Sequence, residues 1–170
     1  MEIYLMQHGE AYAKDKDPER SLTPKGEAQI NLSAKALKNL DVKFDLIISS
    51  PKKRARQTAG IIATELEYPQ DDIEVTKTLE PTVPAKDALS YLAAYGNKSR
   101  IFIAGHLPSL REIASSLVSD TSHVSFHFEM GGVVRIDLEE LGAHNGDLRW
   151  LLTPEQLTML AQNMGSGLHI

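Results

Sequence analysis

The chain has 170 residues, 42% of them apolar and 24% charged, the balance of one ordinary globular domain. It has no cysteine, which excludes disulfides, thiolate metal sites and a cysteine nucleophile. With 18 Lys+Arg against 23 Asp+Glu the net charge is -5, the wrong sign for a protein built to grip a nucleic-acid backbone.

The opening Met1-Glu2-Ile3-Tyr4-Leu5-Met6 has no basic patch before an apolar run, and no stretch approaches a membrane span. A soluble, cytoplasmic protein without membrane or nucleic-acid partners is expected. Ile3 to Met6 reads as a strand, followed by the polar stretch Ala13 to Arg20, a surface loop. Lys25 to Leu40 places Ile30, Ala34, Leu37 and Leu40 on one face, as a core-facing helix requires. Phe44 to Ile48 is a second strand and Arg54 to Leu66 a second helix; Tyr68 to Asp72 is another polar loop. Lys86 to Tyr95 reads as a helix, Arg100 to Ala104 as a β-branched and aromatic strand, and Leu110 to Val118 as a helix. Gly132 to Leu138 and Leu148 to Leu152 are later, more peripheral strands. Thr153-Pro154-Glu155 then starts a last helix, with Thr153 as cap. Strands alternating with helices predict an α/β fold, a three-layer α/β/α sandwich around a mostly parallel sheet. Residues 1–162 are expected as a single domain and 163–170, Gly-rich, as a flexible tail.

In such sheets ligands bind beyond the carboxyl ends of the strands. Three apolar strands here run into polar motifs: Gln7-His8-Gly9-Glu10, Ser50-Pro51-Lys52-Lys53-Arg54, and Gly105-His106-Leu107-Pro108. If those strands are parallel neighbours, two imidazoles and a guanidinium meet on one rim. Ser50 and Pro51 suit a helix start, as does Pro108, and helix N-termini favour anions. Gly9 and Gly105 are expected to let backbone approach a ligand. The guanidinium fork of Arg54 matches phosphate, so the predicted ligand is a phosphoryl group. A neutral imidazole can attack phosphorus to give a phosphohistidine that water then cleaves. Each residue alone also fits an ordinary surface or polar core position; only the convergence points to chemistry.

The residues around these strand ends resemble a known family. Gln7-His8-Gly9-Glu10-Ala11 is similar to the Arg-His-Gly-Glu-Ala signature of the histidine phosphatase superfamily. Leu22-Thr23-Pro24-Lys25-Gly26-Glu27-Ala28-Gln29 resembles its Leu-Thr-x-x-Gly-x-x-Gln segment, and Ser50 to Thr58 its Ser-Pro-x-x-Arg-x-x-Gln-Thr segment. Gly105-His106-Leu107-Pro108 has the form found in the SixA-like bacterial phosphohistidine phosphatases. Gly132-Val133-Val134 and Leu148 to Pro154 resemble that subgroup too, as does the short length. The resemblance implies a phosphoglycerate mutase-like fold and a phosphatase that needs neither cofactor nor metal. It implies His8 as the phosphorylated nucleophile, with Arg54 and His106 on the phosphoryl oxygens and Gln7, Gly9 and Leu107 beside them. The expected substrate is phosphohistidine in a signalling or phosphotransfer protein. A small-molecule phosphomonoesterase and a weakly active phospho-binding module are the alternatives.

The family has an arginine where this chain has Gln7. Losing a charge-assisted contact costs about 1.5–3 kcal/mol; Lys52, Lys53 and Arg56 are candidates to replace the charge. Glu80, in Thr78-Leu79-Glu80-Pro81, is the candidate general acid, although imidazole is a far less basic leaving group than an alkoxide. His123 and His127 have an H-x-x-x-H spacing, but in an extended-looking segment without an adjoining Glu, so no metal site is expected.

Overall fold

The computed structural model describes residues 1–120, 123–142 and 144–163. In chain order the elements are β1 (Glu2–Gln7), α1 (Pro24–Asn39), β2 (Leu46–Ser49), α2 (Lys53–Glu65), β3 (Glu74–Val75), α3 (Ala85–Ala93), β4 (Arg100–Gly105), α4 (Ser109–Val118), β5 (Val133–Asp137), β6 (Asp147–Leu152) and α5 (Pro154–Asn163). They form one six-stranded sheet in the order β3-β2-β4-β1-β5-β6. The first four strands run parallel; on one side β5 adds antiparallel to β1, and β6 antiparallel to β5. This is an α/β fold with a mixed, mostly parallel sheet, phosphoglycerate mutase-like.

The central strands alternate because helices cover both faces. Ile3, Leu5, Ile101, Ile103, Leu46 and Ile48 pack against α3 and α4. Tyr4, Met6, Phe102, Ala104 and Ile47 pack against α1, α2 and α5. Each fully buried Leu or Ile contributes roughly 1.5–3 kcal/mol, so the sheet centre is the stable platform on which the strand ends are presented. No described helix is long and apolar enough to cross a membrane.

The ends of α1 and α5 follow capping chemistry. Thr23 Oγ1 accepts from the Gly26 N–H at 3.0 Å. Thr153 and Gln156 form a reciprocal capping box, with contacts of 2.9 and 3.3 Å. Three local expectations need correction. Helix α2 begins at Lys53 with Lys52 as N-cap and no side-chain cap, so Ser50 does not cap it. Pro108 occupies the N-cap of α4 rather than its first turn. The second strand starts at Leu46, two residues later than its apolar run, because Asp45 turns back to take the N–H groups of Ser99 and Arg100. The two-residue strand β3 and the 3-10 turns at Gln70–Asp72 and Lys77–Leu79 carry no apolar pattern and were not expected. Helix α5 reaches Asn163, and residues 164–170 of the expected tail lie outside the described residues.

Candidate active site

Parallel register does the assembly. Gln7 pairs with Gly105 and Ser49 with Ala104, so the chain leaves β1, β2 and β4 at the same edge. Two backbone bonds extend the register past the strand ends: His8 N to Gly105 O at 3.1 Å and Ser50 N to Ala104 O at 3.0 Å. The rings of His8 and His106 consequently lie 5.0 Å apart, tilted by 58°. Helix α2 leaves β2 and turns its first coil over them, bringing Arg54 Nε to 3.0 Å from His8 Nε2. The structure thus brings His8, Arg54 and His106 together.

The geometry settles the proton on His8. Its Nδ1 lies 2.7 Å from the Gly9 carbonyl oxygen, which only accepts, so Nδ1 bears the hydrogen. Nε2 keeps its lone pair and takes the Arg54 Nε–H. Burial lowers the His8 pKa to about 4, helped by the charges of Arg54 and Arg20 and opposed by the Gly9 bond. Burial lowers that of His106 to about 3, with His8, Arg54, Lys52 and Arg20 adding to the effect. Both rings are therefore neutral near pH 7. Burial, and then Arg20, also push the Arg54 guanidinium down. At 8%, 8% and 2% exposure, His8, Arg54 and His106 are largely stripped of water. Electrostatic contacts to an incoming anion are strong in such a place.

A supporting layer holds these groups. Thr58, one turn after Arg54 on the same helix face, donates to the Arg54 carbonyl at 2.8 Å and accepts the Gly9 N–H at 3.2 Å. Ser50 Oγ lies 2.9 Å from His106 Nε2, which leaves His106 Nδ1 buried without a partner among the described residues. In sequence Thr58 and Ser50 are visible only as members of their motifs, with little to mark this supporting role. For Thr58 the i, i+4 spacing from Arg54 was the available signal.

The two glycines expected to approach a ligand instead admit protein. A Cβ at residue 9 would lie 2.8 Å from Ile30 Cγ1, and one at residue 105 would lie 3.0 Å from Leu110 Cδ2. Gly9 has both backbone groups engaged within the protein, its N–H on Thr58 and its carbonyl on His8, and so orients the His8 ring. Gly26 is tighter still: a Cβ there would sit 2.0 Å from the Glu10 carbonyl oxygen. Glu10 is also tied to Thr23 and Lys25, whose hydrogen bonds hold its carboxyl below the usual range. Gln7 ends β1 on the same face as Ile3 and Leu5, its carbonyl taken by the Gly131 N–H at 2.9 Å. Leu107 is half-buried against the core below α4.

The candidate cations and acid are largely committed. Lys52 pairs with Glu80 at 2.7 Å and Lys53 with Glu19 at 2.6 Å. Glu80 therefore stands as an ion-paired carboxylate. Arg56 is exposed and, with Pro18, Pro51 and Gln57, lines a groove of about 750 Å³. His123 and His127 are exposed on the segment leading to β5, with His127 Nε2 3.7 Å from Glu129.

Comparison with known proteins fits this arrangement. The sequence profile of the histidine phosphatase superfamily (branch 1) matches residues 3–80. The structure of the protein histidine phosphatase SixA complexed with tungstate superimposes with a TM-score of 0.82. Its identity is 26%, covering 92% of this chain and 99% of that one. An uncharacterized protein of Picosynechococcus sp. (strain ATCC 27264 / PCC 7002 / PR-6) is 32% identical over 162 residues, 90% of this chain and 96% of its own length. The mitochondrial serine/threonine-protein phosphatase Pgam5 of Drosophila persimilis is 34% identical over 83 residues, 48% of this chain and only 29% of that protein. The chain belongs to the histidine phosphatase superfamily, branch 1. Within it, the protein is a phosphatase whose structure is SixA-like.

Proposed function

We propose that this phosphatase removes phosphate from phosphohistidine carried by a signalling or phosphotransfer protein, through a phosphoenzyme on His8. The observation that carries this reading is a neutral His8 whose Nε2 lone pair points at the Arg54 guanidinium, 3.0 Å away, beside a second imidazole. A phosphoryl group entering between them takes the Arg54 N–H from His8 and exposes the lone pair to phosphorus. The Nε2–P bond forms as the P–N bond to the substrate histidine breaks. The substrate imidazole, protonated on its other ring nitrogen, departs as a neutral ring holding the electron pair of the P–N bond. Water then attacks the phosphoenzyme, its protons leaving with inorganic phosphate as the electron pair returns to Nε2. Arg54 and His106 neutralise charge on the phosphoryl oxygens throughout.

The choice of substrate rests on the leaving group. The candidate acid, Glu80, is taken up in an ion pair with Lys52 at 2.7 Å. A substrate imidazole already protonated on its other nitrogen leaves as a neutral ring, whose conjugate acid has a pKa near 6.5, without a further donor, whereas an alkoxide does not. A second reading, a weakly active phospho-binding module, draws on the uncharged Gln7.

The test is to incubate the protein with a phosphohistidine-bearing phosphotransfer domain, quench in base and map acid-labile phosphate. Phosphate on His8, with phosphohistidine turned over at least about 100-fold faster than an alkyl ester such as glycerol phosphate, is expected. Equal or faster ester hydrolysis would point to a small-molecule phosphomonoesterase. Phosphate binding that never labels His8 would point to the binding module.

A further inference from the structure

We infer that Arg20 is a second guanidinium of the phosphoryl site, contacting a phosphoryl oxygen from the loop side and supplying the charge that Gln7 lacks. The inference rests on the phosphoryl site proposed above. That site is short of positive charge. A phosphoryl group brings about two negative charges near neutral pH, and between the two neutral imidazoles only Arg54 answers it.

Residues 8–23 leave β1 and return to α1 as a tied hairpin. Ala11 bridges Leu22, and the Tyr12 N–H reaches Ser21 O at 2.9 Å. The Asp17 carboxylate accepts from the Glu19 and Ser21 N–H groups and the Ser21 hydroxyl. Two anchors join this hairpin to α2: Glu19 to Lys53 at 2.6 Å, and the Leu22 N–H to Gln57 Oε1 at 2.8 Å. Lys53 and Gln57 bracket Arg54, so Arg20, between the two anchored residues, is held over the part of α2 that carries Arg54. Its Nε donates to Tyr12 O at 3.2 Å, and among the described residues its guanidinium forms no ion pair. Its charge is nonetheless felt at His8, Arg54 and His106 alike.

The alternatives have other commitments. Lys52 and Lys53 are each paired with a carboxylate, and Arg56 lines a groove that none of His8, Arg54 and His106 borders. Arg20 also sits at φ 53, a left-handed conformation that costs an arginine energy and that glycine adopts freely. Strained residues of this kind gather where a side chain must be aimed. For folding alone, glycine is the better residue at this position.

That contrast supplies the test. The dissociation constant of inorganic phosphate is measured by calorimetry for the parent, Arg20→Gly, Arg20→Lys, Arg54→Gln and Arg20→Gly with Gln7→Arg. Arg20→Gly should keep or raise Tm, since it relieves the backbone, yet weaken phosphate about 10- to 100-fold. Arg20→Lys should recover part of that loss, and Gln7→Arg in the Arg20→Gly background most of it. A merely structural loop residue would not be rescued from the end of β1. Arg20→Gly binding phosphate within twofold of the parent while Arg54→Gln binds weakly would overturn the inference and leave the site standing. So would a loss that Gln7→Arg does not restore. Unchanged binding in both Arg20→Gly and Arg54→Gln would instead remove the phosphoryl site itself.

Discussion

The two ends of β1 treat arginine in opposite ways. At the start of the strand Arg135 grips Asp137 through two bonds of 2.7 and 3.0 Å, reaches Glu2 at 3.1 Å and lies over the Tyr4 ring at 5.7 Å. Arg149 joins Asp137 and Arg100 joins Glu2, so each cation there has a carboxylate. At the far end, roughly 17 Å away at strand rise, Arg54 is buried and its Nε has only a neutral imidazole. The hydrogen bonds that Arg135 donates to Asp137 push its pKa up, while burial pushes that of Arg54 down. A cation given its anion by the fold contributes to stability. A buried cation with no carboxylate among the described residues fits the phosphoryl-binding role proposed above.

Four measurements break or sharpen this contrast. The largest effect belongs to His8→Ala, which should lower turnover at least about 10⁴-fold, read as kcat on a phosphohistidine protein. Arg54→Gln should lower kcat about 100- to 1000-fold while Tm stays level or rises, because a desolvated charge leaves the protein. Arg135→Gln should do the reverse: kcat within twofold of the parent, and unfolding free energy lower by about 1–2 kcal/mol in urea titrations. A kcat loss with Arg135→Gln, or a large Tm loss with Arg54→Gln, would erase the distinction between the ends. The smallest effect is that of salt. Phosphate affinity should fall several-fold between low and high ionic strength, while the stability lost at the Arg135 cluster stays below about 1 kcal/mol.

Acid separates the ends as well. His8 and His106 have pKa values of about 4 and 3 in the fold, against 6.5 for a free imidazole. Below pH 6.5 the unfolded chain takes up protons that the folded rings refuse. Stability is thus full above pH 6.5 and is lost as pH falls towards 4 and then 3, by about 2 kcal/mol per ring at pH 5. Urea titrations at pH 7 and 5 check this, and a variant lacking both imidazoles should show a flatter slope.

Much of the architecture was legible because the core strands are nearly continuous apolar runs and the helices carry a clear face, as with Ile30, Ala34 and Leu37. The meeting of His8, Arg54 and His106 was legible for the same reason: parallel strands end on one side, and each of these runs stops at a polar motif. What escaped had no periodic trace. Glu74 and Val75 are both exposed, so nothing marks them as a strand. Ser50 before Pro51 looks the same in sequence whether it caps a helix or binds His106 Nε2. Gly9 and Gly105 announce a close approach without saying what approaches; it is Ile30 and Leu110. Arg20 lies in a polar run whose meaning appears only when Asp17, Glu19 and Leu22 close the hairpin against α2.

The 2.7 Å bond from His8 Nδ1 ends on main chain, the carbonyl of the very next residue. No side-chain substitution elsewhere can delete that acceptor. The tautomer of His8 is therefore insulated from drift in its surroundings, including the residue that stands at position 7. Any phosphate the ring receives must reside on its distal nitrogen, a regioisomer that nitrogen-15 and phosphorus-31 spectra tell apart from the other.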